Sequence, residues 1–141
     1  MPLRVKLKAD ERVIINGALI SARQTTALVI HNRVSLLRER QILPPHLVTS
    51  PARRIYFAIQ CAYVADVEER PPYIAAALKY AQEFRDTTLS DRVKRLSEQV
   101  VEQVGREAFY EALRTAQEIM KYEDFVLGQR SWEELNATGA A

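Results

Sequence analysis

The 141-residue chain has one cysteine, four glycines, two histidines and no aromatic residue before Tyr56. With Cys61 alone, an internal disulfide is impossible, and a cysteine-based metal cluster lacks its ligands. Four glycines leave little material for a phosphate-cradling loop, and the sequence contains no G-x-G-x-x-G, P-loop, H-E-x-x-H or C-x-x-C pattern. His31, His46 and Cys61 share no recognisable catalytic signature. No catalytic residue, metal ligand or cofactor site is therefore assigned, and an enzyme is not expected. No apolar run approaches the roughly 18 residues that cross a bilayer, and charges alternate where a signal peptide needs an apolar stretch. A cytoplasmic protein with no membrane association is expected.

Positive charge is unevenly spread. Residues 1–54 carry ten Lys or Arg against three Asp or Glu, a balance of +7, whereas residues 55–141 carry ten against fifteen, a balance of −5. The whole-chain value of +2 hides this split. The basic set is Arg4, Lys6, Lys8, Arg12, Arg23, Arg33, Arg38, Arg40, Arg53 and Arg54, so lysine occurs in it only at positions 6 and 8. Such segregation points to a polyanionic partner, and guanidinium forks suit phosphates and guanine edges. A non-binding reading stands beside it. Cations on an edge strand discourage aggregation, and a +7 segment can dock on the −5 half of its own chain.

The hydrophobic content of 48% suffices for one compact fold. Leu3 to Lys8 alternates apolar and cationic side chains, the period of a half-buried strand. After a turn at Ala9 to Glu11, a strand at Arg12 to Ile15 runs into Asn16-Gly17, a strong hairpin signal. Thr25 to Ile30, Val34 to Leu37 and Gln41 to Leu43 complete four to six short antiparallel strands. Pro44-Pro45 ends this part, and the period changes. Ser50-Pro51 marks an N-cap and first turn, with Ile55, Ile59, Ala62, Tyr63 and Asp66 on one face. Pro71-Pro72 opens a second helix with Ile74, Leu78, Ala81 and Phe84 on its stripe. A third begins near Ser90, carries Val93, Leu96, Val100 and Val104, and ends at Gly105 as C′ residue. The fourth carries Phe109, Leu113, Ala116, Met120 and Phe125. The fold class expected is α+β: a small N-terminal antiparallel β-sheet or partial barrel (1–48), a bundle of about four helices (49–130), and a short cap with a frayed tail (131–141) opened by the capping box Ser131-Trp132-Glu133-Glu134.

If the basic face binds nucleic acid, its lack of rings argues against base stacking on the β unit and leaves arginine contacts to phosphates and bases. About four phosphates neutralised on a single strand correspond to a salt slope near −2.8, or roughly 50-fold weaker binding for a fourfold rise in salt. The RNA-contacting set expected is Arg4, Lys6, Lys8, Arg12, Arg33, Arg38, Arg40, Arg53 and Arg54. Tyr56, Phe57 and Tyr63 surround more of the first helix than one stripe requires. That helix is buried on two sides, either within the fold or by a second protein, and the three rings are the candidate partner surface.

Several stretches together resemble one family. They are Met1 to Lys8, Glu11 to Ala18, Leu37-Arg38-Glu39, Thr49 to Tyr56, Phe109 to Leu113 and Tyr122-Glu123, and the likeness spans residues 1 to about 127. The chain is similar in these to the FlbT family of bacterial flagellin regulators, departing from the pattern at Ala9-Asp10 and around residues 22–36. The resemblance implies binding to the 5′ untranslated region of flagellin mRNA, restraint of translation and promotion of decay. It also implies work alongside the small flagellar protein FlaF, with flagellin itself a further candidate partner. The direction of regulation and a homo-oligomeric state stay open. The competing reading is a protein-interaction adaptor or flagellar export chaperone that affects RNA only indirectly.

Overall fold

The computed structural model describes residues 2–137 and is α+β, with five short strands preceding the helices. Strand β1 (Leu3–Leu7) pairs antiparallel with β4 (Thr26–Ile30), so Val5 faces Leu28 and Leu7 faces Thr26, while Arg4 and Lys6 stand opposite Val29 and Ala27. The alternation read from the sequence is realised: Val5 and Leu7 are buried, Arg4 and Lys6 exposed. Strands β2 (Arg12–Ile15) and β3 (Ala18–Ser21) meet through Asn16-Gly17, both with positive φ (50° and 84°), as the tight hairpin requires. Glycine is needed at 17 for a second reason, since a Cβ there would lie 2.9 Å from the Val64 carbonyl oxygen. Strand β5 (Leu36–Arg38) completes a three-stranded sheet in the order β3-β2-β5.

Strands β2 and β5 of that sheet carry apolar residues on both faces because they lie between two cores, whereas β3 at its edge is exposed. Val13 packs with Val5 and Leu7 in a small core between the two sheets, flanked by Ile15, Leu28 and Leu36. Leu37, adjacent to Leu36 and so on the opposite face, joins the large helical core, and Ile14 packs against it. Gln41 to Leu43, expected as strand, is not one. Glu39–Gln41 form a 3-10 turn, and the Leu43 N–H and C=O pair with the Gln60 side-chain amide at 2.8 and 3.1 Å. A buried glutamine thus does for this backbone what a neighbouring strand would have done.

Helix α1 (Pro51–Val64) is capped by Ser50, whose hydroxyl accepts from the Arg53 N–H. Asp66, expected on its face, lies beyond its end and is exposed. Helices α2 (Pro71–Thr87), α3 (Asp91–Gly105) and α4 (Phe109–Leu127) follow. α1 packs on α2 and α4, and α3 packs on α2 and α4, closing a four-membered ring. Three-residue links between α2 and α3 and between α3 and α4 make those neighbours antiparallel. Gly105 proves to be helical; the left-handed residue ending α3 is Glu107 (φ 59°), with the Ala108 N–H bonded to the Gln103 carbonyl in a Schellman closure. Phe125 is not on the buried stripe of α4 but 86% exposed, because five residues from Met120 turn it about 140° away. Glu123 occupies the buried stripe instead.

Helix α5 (Trp132–Ala137) starts with the Glu134 N–H donating to Ser131 Oγ at 3.2 Å, as the capping pattern indicates. Trp132 is 1% exposed and stacks obliquely on Tyr56, ring centres 6.0 Å apart. The expected frayed tail beyond residue 137 lies outside the described residues. No helix among the described residues is long and apolar enough to cross a membrane.

Candidate nucleic-acid interface

The basic residues fall into three groups. Arg4, Lys6 and Lys8 are exposed along β1, with the first two on its outward face. Arg12, Arg38 and Arg40 converge on one cleft between the β unit and α5, together with Glu11, Glu39, Trp132 and Glu133. Arg33 lines a separate groove, and Arg54 is exposed on the first turn of α1. Within the cleft, Arg12 pairs with Glu39 at 3.0 Å and the Arg38 guanidinium donates to the Lys6 carbonyl at 2.9 Å, stitching the two sheets together. Arg40 is exposed and has no ion-pair or hydrogen-bond partner among the described residues.

Arg53 leaves the expected RNA-contacting set. It is 3% exposed, its guanidinium donates to the Leu47 and Arg130 carbonyls and to Thr49 Oγ1, and Nη2 lies 3.5 Å from Asp124. Beside it the Glu123 carboxylate accepts from the Ser50 hydroxyl and, at 2.9 Å, from the Ala52 N–H. This buried carboxylate therefore satisfies a free N–H of the first turn of α1, where the helix dipole also favours negative charge. Sequence reading could not pair Ser50-Ala52-Arg53 with Glu123-Asp124, because about 70 residues separate them. A glutamate at the apolar spacing, three residues after Met120, is the one local hint.

The three rings expected to meet a partner are largely absorbed by the fold. Tyr56 is fully buried, donates its hydroxyl to the Gln41 carbonyl at 2.6 Å, and has its ionisation pushed well above the usual tyrosine range, chiefly by burial. Phe57 and Tyr63 are half-buried against the main core, and Tyr63 accepts from the Leu36 N–H at 3.2 Å. The second side of α1 is thus covered from within. Burial likewise raises the Cys61 thiol, which lowers its thiolate fraction and its reactivity. His31 and His46 are exposed. Among the described residues no cluster of His, Cys, Asp or Glu is placed to hold a metal.

Charge segregation survives folding. Arg53 to Asp124 is the one ion pair among the described residues that joins the basic segment to the acidic half; every other pair lies within one half. The acidic helices neutralise themselves, as where Arg106 bridges Glu102 and Glu111 at 2.8 and 2.9 Å. Arg4, Lys6, Lys8, Arg33 and Arg40, exposed and without an ion pair among the described residues, are left for solvent or for a partner. Exposed apolar side chains occur on the β unit, at Leu3, Leu19, Ile20 and Val29, and also at one end of the bundle. There Leu89 is 99% and Val126 57% exposed, beside a shallow groove that also includes Phe84, Tyr122 and Leu127.

A family model described as "Flagellar protein FlbT" matches residues 3–127. The chain is 33% identical over 132 residues to a protein of Caulobacter vibrioides (strain NA1000 / CB15N) named "Probable flagellum biosynthesis repressor protein FlbT", covering 93% of each. It is 31% identical over 132 residues to a protein of the same name from Caulobacter sp. (strain K31), covering 93% of this chain and all of that one. A third, from Rhodopseudomonas palustris (strain TIE-1), is 30% identical over 130 residues, covering 92% and 100% respectively. No solved structure matches the chain.

Proposed function

The chain belongs to the FlbT family, and from that premise we propose that it regulates flagellin synthesis after transcription by binding the 5′ untranslated region of flagellin mRNA. The regulatory role in flagellar synthesis follows from the family and from relatives named as repressors. Direct RNA contact is the finer step, and one observation carries it: Arg4, Lys6, Lys8, Arg12, Arg33 and Arg40 stay exposed and none of them is answered by a carboxylate of the helical half among the described residues. A protein that merely docked its +7 segment on its −5 segment would spend those charges on each other. Binding restrains translation and promotes decay, and it takes place in the cytoplasm.

Arg4, Lys6 and Arg40 supply the cleanest test, because their side chains are exposed and make no contact that the fold needs. Replacing all three by Gln removes about three phosphate contacts, so affinity for a flagellin leader RNA should fall and the salt slope flatten by about two units. A folded triple variant with unchanged affinity and slope excludes this mapping. Arg38 is left intact because its guanidinium joins the two sheets.

The adaptor reading is favoured by the apolar bundle end around Leu89, Phe84, Val126 and Leu127. On that reading a FlaF-like protein, or flagellin, docks there rather than on Tyr56, Phe57 and Tyr63. A gel shift of the purified chain with leader RNA at low salt, with and without FlaF, separates the two. Absence of any shift in both conditions selects the adaptor.

A further inference from the structure

No aromatic residue precedes Tyr56, so the β unit has no ring of its own on which a base can stack. The tertiary structure brings rings to it. Between Ser35 on the β side and the start of α4 lies a groove of ≈ 580 Å³ lined by Arg33, Tyr63, Arg70, Glu107, Tyr110 and Glu111, large enough for a nucleoside. Tyr110 is 43% exposed in it.

The Tyr110 ring is held from two directions. Its hydroxyl accepts from Gln41 Nε2 at 3.0 Å, and its ring centre lies 6.0 Å from that of Tyr63, tilted by 51°. Tyr63 is in turn anchored by the Leu36 N–H. Both acids of the groove already face arginines: Glu111 is 2.9 Å from Arg106, and Glu107 is 3.9 Å from Arg70. Arg33 has no ion-pair partner among the described residues and is left as the unanswered charge. The same Gln41 that holds Tyr110 accepts from the Arg38 N–H through its side-chain Oε1 and directly follows Arg40. One glutamine therefore links the ring to the arginine cleft.

We propose that Tyr110 is a stacking platform for an unpaired base of single-stranded RNA, with Arg33 and Arg40 holding the neighbouring phosphates. This rests on the RNA-binding reading above and adds to it a mode and a strand requirement. A positioned ring half open to solvent, sharing its groove with the unpaired Arg33 guanidinium and tied through Gln41 to the segment that carries Arg40, matches what single-strand binding needs: stacking for the base and positive charge for the backbone. Paired bases in a duplex are not available to such a ring.

The test compares a uridine 12-mer with a 12-base-pair RNA duplex in a low-salt titration of the full chain. Tyr110→Ala should weaken the single strand about tenfold while leaving its salt slope and the duplex affinity unchanged, since the ring carries no charge. Tyr110→Phe, which keeps the ring and loses only the Gln41 hydrogen bond, should stay within about twofold of the parent. A 4-thiouridine 12-mer irradiated with the unaltered chain should crosslink to the peptide containing Tyr110, a result independent of any variant's folding. If Tyr110→Ala binds the single strand like the parent, or Tyr110→Phe is as weak as Tyr110→Ala, the platform is wrong while RNA binding stands. Crosslinks confined to other peptides also exclude the platform. If the parent chain binds neither RNA, both this inference and the reading beneath it fail.

Discussion

The two halves of the molecule bury apolar surface on different scales. Between its two sheets the β unit fully buries Val5, Leu7 and Val13, whereas the helical core buries twenty-one of the described residues, including Leu37, Leu43 and Leu47 from the chain before α1. Three buried side chains cannot offset the chain entropy of five strands, so the β unit depends on the bundle through Leu37 and Ile14. What the small unit has instead is outward-facing charge. A thin, cationic layer is thus held in shape by a large acidic scaffold.

Trp132 is the largest fully buried side chain among the described residues. It lies beyond the four long helices, and Trp132→Ala should cost about 4 kcal/mol in urea unfolding. A loss under about 1 kcal/mol would mean that α5 is not part of the scaffold. Next come two leucines of equal size in the two cores. Leu37→Ala should cost about 3 kcal/mol and Leu7→Ala about 2, because the small core between two thin sheets can collapse more readily around a cavity. Equal losses would show that the β unit is as tightly packed as the bundle.

Glu123→Ala should cost about 2 kcal/mol, since it strands the buried Ser50 hydroxyl and the Ala52 N–H at the start of α1. A variant as stable as the parent would deny the carboxylate any role in joining α4 to α1. The smallest effect concerns Tyr56→Phe, about 1 kcal/mol at neutral pH from the lost bond to Gln41. Its pH dependence has a definite sign. Burial raises the folded-state pKa above the unfolded value of about 10, so the folded chain holds this proton more tightly. The contribution is full below about pH 10 and declines as pH rises above it. Unfolding midpoints from pH 8 to 11 should therefore fall more steeply for the parent than for Tyr56→Phe, and parallel curves would contradict the assignment.

Local signals carried much of the architecture. The alternation in β1, the Asn16-Gly17 turn, the Ser50 and Ser90 caps and the proline at the start of α2 all act within a few residues, where propensity and hydrogen bonding are decided. Errors came where a distant partner intervened. Gln60 took the backbone bonds expected of a strand at Leu43, and Glu123 displaced Phe125 from the stripe of α4. Among the cations, the sequence set includes Arg53, because nothing local distinguishes a guanidinium that will be buried against Asp124.

By itself, then, the sequence determined the α+β order, the charge split and the family, all of which reside in residue types and short spacings. Only the tertiary structure decided which cations remain free, that Tyr56 faces inward, and that Tyr110 shares a groove with Arg33 and Arg70. Those outcomes depend on which surfaces meet across more than 60 residues of chain, as at the bond between Gln41 and Tyr110. Side-chain burial and pairing are properties of that meeting, set by packing and desolvation rather than by any local preference.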